Sequence, residues 1–137
     1  MSNFVYGKAK ESFLKGEINL LNNNIKVLII DSSEYSASQN SDQYVSDIPV
    51  AAIKHRSTAL QTKSITLGVF DADDILIPEY SGDAFDAMVI YQDNSNDSLS
   101  RLLFHIDNAV GLPFTGSIST SPVTIVWDNS GTRIISI

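Results

Sequence analysis

The sequence predicts a mainly β protein, a β-sandwich or barrel-like antiparallel sheet with one N-terminal α-helix. Three observations carry this expectation. Only the N-terminal stretch places apolar groups at helical spacing. Short runs of branched and aromatic residues recur through the remainder, and clusters of Asn, Asp, Ser and Gly separate them.

The helix is expected over residues 3–15. Tyr6, Ala9 and Phe13 fall at i, i+3 and i+7, with Lys8, Lys10 and Glu11 on the other side. Ser2 suits the N-cap, Lys15 suits the negative end of the helix dipole, and Gly16 is a natural stop. Its aromatic stripe reads as a packing face. The β-rich body then spans 25–137, giving a single domain over 1–137 with no linker and no internal repeat.

Asn22, Asn23 and Asn24 form a turn cluster, and the branched run 25–30 behind it reads as a strand buried on both faces. The serine-rich segment 31–42 reads as an exposed loop, and 43–48 as one helical turn ended by Pro49. Further strands are expected at 64–70, 74–77, 87–92, 99–106, 123–127 and 132–137. The polar stretch 93–97 suits a hairpin connection, and Asp128-Asn129-Ser130-Gly131 is the clearest turn, joining the last two strands. Val123, Ile125 and Trp127 alternate, so they share one face. Pro78, Pro113 and Pro122 are expected at strand ends or in loops, where a missing N–H costs no ladder bond.

Charge narrows the partners. Sixteen acids against nine bases give a formal net charge of -7. A nucleic-acid binder draws most of its affinity from neutralising phosphates. Here Lys8, Lys10 and Lys15 are diluted by Glu11 and Glu17, and Lys54, His55 and Arg56 form only a short second cluster. Nucleic acid is therefore not expected as a partner. No apolar run approaches the ~20 residues of a membrane-spanning helix, and the N-terminus lacks the apolar core of a signal peptide. A soluble chain with no membrane association is the expectation. With no cysteine, disulfides and thiolate metal sites are ruled out.

Catalytic signals are sparse. His105 and Asp107 lie two apart on one strand and so share a face, an arrangement that orients an imidazole, but no Gly-x-Ser-x-Gly elbow supplies a nucleophile. A strand histidine with an ordinary hydrogen bond is the simpler reading. Asp71, Asp73 and Asp74 are weak candidates for oxygen ligands to calcium. They lack the ligand spacing, central glycine and closing glutamate of an EF-hand, and a solvated turn explains them as well. Neither a Gly-rich phosphate loop nor a Walker lysine is present. No catalytic residue and no cofactor is expected. Tyr35, Tyr44 and Tyr80 are candidate interface aromatics, readable also as a sugar-binding platform. Arg133, Ile135 and Ile137 lie on a short terminal strand suited to strand addition with a neighbour.

Several segments in order carry a resemblance. Gln43-Tyr44-Val45-Ser46-Asp47-Ile48-Pro49 is followed by Ala59-Leu60 and by Ser64-Ile65-Thr66-Leu67-Gly68-Val69-Phe70-Asp71-Ala72-Asp73-Asp74-Ile75. Ala87-Met88-Val89-Ile90-Tyr91, Leu102-Leu103-Phe104-His105-Ile106-Asp107 and Gly111-Leu112-Pro113 come next, before a Trp-containing strand and a terminal β-hairpin. This order resembles small structural proteins of tailed bacteriophages. Gln61-Thr62-Lys63 departs from the Gly-Lys expected before the Gly-Val-Phe-Asp strand. The resemblance implies a non-enzymatic virion component made in the host cytoplasm, first a capsid decoration (cement) protein contacting the major capsid protein. A tail, baseplate or fibre component, with or without host-glycan binding, is the alternative. Decoration proteins commonly occupy local three-fold axes, so the resemblance also implies a homo-oligomer, a trimer first.

Overall fold

The structure, a computed structural model, describes residues 3–109, 111–116, 121–127 and 134–136. The chain is mainly β, with one α-helix and three antiparallel sheets among the described residues. In chain order the elements are β1 (Phe4–Val5), α1 (Gly7–Leu14), β2 (Ile25–Ile30), β3 (Ile53–Arg56), β4 (Ser64–Thr66), β5 (Val69–Asp71), β6 (Ile75–Tyr80), β7 (Ala87–Gln92), β8 (Arg101–Ile106), β9 (Ser121–Ile125) and β10 (Ile135–Ser136). The central sheet runs β1-β8-β7-β2-β3. Two smaller ones are β10-β5-β4 and β6-β9.

The central strands explain why a run such as Ile25-Lys26-Val27-Leu28-Ile29-Ile30 is almost uniformly apolar. Alternate side chains point to opposite faces, and here both faces are covered. The paired residues Val5, Phe104, Ile90 and Val27 form one row across the sheet. Phe13 of α1 stacks on Phe104 with ring centroids 6.1 Å apart, so the helix lies on that face. Phe4, His105, Val89, Leu28 and Arg56 form the row on the other face. There the 31–52 connection supplies Tyr35, whose hydroxyl lies 2.9 Å from that of Tyr6. Two 3₁₀ turns within it, Val45–Asp47 and Val50–Ala52, bury Val45 and Ala52.

Several expectations need correction. The helix is shorter than 3–15, because Phe4 and Val5 pair with His105 and Phe104 as an edge strand and helix starts only after Tyr6. Tyr6 stands at its N-cap position without a side-chain cap bond, and Ser2 lies outside the described residues. The 64–70 run is two strands folded at Leu67 and Gly68, whose φ values of 50° and 78° are both left-handed. The segment 31–42 is not wholly exposed, since Tyr35 is buried. Pro78 and Pro122 lie inside β6 and β9. They fall between the pairs Ile77↔Val123 and Tyr80↔Ser121, where the register shifts and a proline costs no ladder bond. Finally, among the described residues β9 and β10 belong to different sheets and do not pair with each other as a hairpin. The 128–131 turn lies outside the described residues.

Candidate functional site

His105 offers the only chemistry that the sequence reading singled out on a strand face. It is 1% exposed, in the middle of the Phe4-His105-Val89 row. The Phe4 ring stacks on it at 4.8 Å with an interplanar angle of 3°, and Tyr6 meets it edge-on. Neither ring nitrogen has a hydrogen-bond partner among the described residues. The imidazole therefore does not hold the ordinary strand hydrogen bond expected of it. Burial pushes its pKa down; the carboxylates of Asp107 and Asp86 act the other way without reversing the shift. Asp86 is already engaged, accepting from the backbone N–H and the hydroxyl of Ser32. Buried against the Phe4 and Tyr6 rings, the imidazole is favoured in its neutral form.

The acidic turn works as a structural staple. The Asp73 carboxylate accepts a 2.7 Å bond from the Thr62 hydroxyl, and its carbonyl accepts the Trp127 indole N–H at 3.1 Å. The Asp74 carboxylate accepts the Trp127 backbone N–H at 2.9 Å. These bonds tie the start of β6 to the end of β9, 53 residues away in sequence. Asp71 sits at the end of β5, opposite Ser64. Among the described residues no group of three or more His, Asp or Glu side chains is placed to hold a metal.

The tyrosines do not form a surface platform. Tyr35 and Tyr80 are core residues, which corrects their reading as interface aromatics. Tyr35 donates to Asp42 at 2.7 Å, and Tyr80 meets Phe85, Phe114 and His55 edge-on. Burial raises the Tyr80 hydroxyl to about 12. Tyr44 is half-buried and accepts from the Gln43 side-chain amide. Ile135 pairs with Phe70 in β10, while Arg133 and Ile137 lie outside the described residues.

A surface feature that sequence reasoning missed is apolar. An open groove of about 280 Å³ lies between α1, the segment after it, and the β4–β5 hairpin. It is walled by Phe13, Ile18, Leu20, Ile65 and Phe70. Leu14, next to Phe13, is 90% exposed, and Leu67, at the hairpin tip, is 97% exposed. A left-handed position in a two-residue hairpin turn ordinarily goes to Asn, Asp or Gly. Leucine there is a conformational cost that the turn itself does not repay. Lys10 in α1 and Lys15 just past its end are exposed and without an ion pair among the described residues, with the exposed acids Glu11 and Glu17 beside them. The sequence signal was available: Leu67 precedes Gly68 where Asn is the usual first turn residue.

No protein-family model matches the chain, and no curated protein sequence is significantly similar to it. No helix among the described residues is long and apolar enough to cross a membrane.

Proposed function

We propose that the protein is a non-enzymatic structural subunit of a tailed-phage particle, acting as a capsid decoration protein through protein–protein contacts. The observation that supports this reading best is the apolar groove, together with the exposed Leu14 and Leu67, next in sequence to its lining residues Phe13 and Gly68. Large apolar side chains gathered on one surface around a concave site are a mark of contact surfaces. The resemblance of the 43–113 segments to phage structural proteins points the same way, and the enclosed His105 suits a scaffold better than a catalyst. The placement on the head is favoured by the acidic chain, which complements a basic capsid face and steers association. A tail or baseplate position is the second reading, favoured by the outer edge of β4, which pairs with no strand among the described residues and suits strand addition.

Protein counting on purified particles tests the reading and separates the two placements. A copy number comparable to that of the major capsid protein, or a fixed fraction of it, is expected for decoration. A few copies per particle would move the subunit to the tail, and absence from particles would refute the structural role.

A further inference from the structure

The outer edge of β8 is covered by two short pieces of chain rather than by one full strand. Toward its start, Val45 donates its backbone N–H to the Ser100 carbonyl, and Leu102 donates to the Gln43 carbonyl, both at 2.9 Å. Toward its end lies β1, two residues long, paired through Phe4↔His105 and Val5↔Phe104. Asn3 extends this cover. Its side-chain carbonyl accepts the backbone N–H groups of Asp107 and Asn108 at 2.9 and 3.0 Å, and its amide donates to the Asn108 carbonyl. The chain is then anchored at Tyr6, which is fully buried, donates its N–H to the Leu103 carbonyl and meets the Tyr35 hydroxyl. Gly7 adds a 2.7 Å bond to the Gln39 carbonyl. Asn3 is exposed and Phe4 and Val5 are only half-buried, so residues 3–5 can swing about Tyr6 while the strands behind them stay paired.

His105 lies directly under this strap, with the Phe4 ring flat against it. Behind it the row continues into apolar Val89 and Leu28. The charged groups around the ring are few. Asp107 follows on the same strand, and one of its carboxylate oxygens is buried without a partner among the described residues. Asp86, ahead of β7, is bound by Ser32, and Asp42 of the 31–52 connection reaches only as far as Tyr6, through Tyr35. Protonation would therefore place a full charge in the sheet with two N–H groups unsatisfied, which is costly in a buried site. The π face of Phe4 returns only part of that cost. With β7 and β2 closing the other side, the shortest way to water is past Phe4 at the sheet edge.

We infer that Asn3–Val5 is an acid-released latch on the edge of β8, with His105 as its trigger. At neutral pH the uncharged ring keeps Phe4 stacked and the latch closed. In mild acid the imidazolium displaces Phe4, gains water and comes within the field of Asp107. The desolvation that holds the ring neutral in the closed form sets this direction. Opening bares the backbone of β8 around Phe104 and His105, a strand edge of the kind that a further strand can join. The device stands independently of the virion role.

Amide hydrogen exchange on the full chain, corrected at each pH for the intrinsic rate, tests it. Protection at Asp107 and Asn108, whose N–H groups bond Asn3, is expected to fall by up to about tenfold per pH unit below about 6.5. Protection at Leu60, bonded to the Ile25 carbonyl on β2, should hold over the same range. His105→Phe keeps a ring under Phe4 and removes the proton, so protection at Asp107 and Asn108 should no longer depend on pH. Phe4→Ala removes the cover and keeps the proton. In that variant the His105 pKa, followed by NMR, should rise toward the ordinary value, with low protection at Asp107 and Asn108 already at about pH 7. Wild-type protection that stays constant or rises between about pH 7 and about pH 5 would overturn the proposal. So would an equal loss at Leu60, which means global opening, or the same decline in His105→Phe. A His105 pKa unmoved by Phe4→Ala would do so as well, and decides the matter if His105→Phe fails to fold.

Discussion

Replacing Phe104 with alanine is expected to lower the free energy of unfolding by about 3–5 kcal/mol. Phe104 is fully buried near the middle of the sheet, between Val5 of β1 and Ile90 of β7, and it carries the stacked Phe13 of α1. Truncation therefore opens a cavity where three elements meet. A rigid backbone, hydrogen-bonded on both sides along β8, cannot collapse to fill it. A domain of this size is typically stable by about 5–15 kcal/mol, so the variant should unfold at a clearly lower urea concentration with an unchanged slope. A loss below about 1 kcal/mol would mean that the helix does not pack on this face as described.

Mild acid is expected to weaken the fold through His105. Its imidazole is held below the ordinary histidine pKa by burial, so the unfolded chain binds a proton more readily than the folded one. Stability from this group is complete above the unfolded pKa of about 6.5 and falls as pH drops from there toward the depressed folded value. The slope cannot exceed about 1.4 kcal/mol per pH unit for one proton. The groups that face the ring are Phe4 and Tyr6 from the N-terminal segment, with Asp107 on its own strand and Asp86 ahead of β7 supplying negative charge. The lowered carboxylates of Asp31, Asp93 and Asp97 act in a separate window: each adds stability above its unfolded pKa and loses it as pH falls further. His105→Phe preserves the stack on Phe4 and removes the proton. Melting temperatures measured between about pH 7 and about pH 5 should fall for the wild-type chain and stay nearly flat for the variant. Equal declines in both would show that another group carries the acid response.

Much of the architecture was legible because the central strands are buried on both faces. The run 25–30, apolar but for Lys26, and the run 87–92, apolar up to Gln92, stand out in the sequence, and both become strands over those residues. The alternation of Val123, Ile125 and Trp127 likewise gave the correct facing, with Thr124 and Val126 outside. The strand β3 was not legible. Ile53-Lys54-His55-Arg56 is an edge strand with one apolar side chain, and it is held by pairing to β2 rather than by a pattern of its own. The strand β1 is hidden for a similar reason: two residues carry no period, and only the partner strand β8, a hundred residues later, defines them.

The candidate sites failed for a tertiary reason. Tyr35 and Tyr80 sit among polar neighbours in sequence and so looked exposed, but Tyr35 meets Tyr6 and Tyr80 meets Phe85 and Phe114. Asp73 and Asp74 resembled ligands or a solvated turn because Trp127, which they fasten, is distant in the chain. The groove is made by α1, the residues following it and the β4–β5 hairpin, which no local pattern brings together.

The proposed role is docking through the apolar surface, without chemistry. Binding of the purified chain to particles assembled without it is the decisive measurement of this role. The wild-type chain should bind saturably at a fixed number of copies, and the Leu14→Asp, Leu67→Asn variant should lose most of that binding while His105→Phe keeps it. Failure of the wild-type chain to bind, or binding that survives removal of both leucines, would contradict the account.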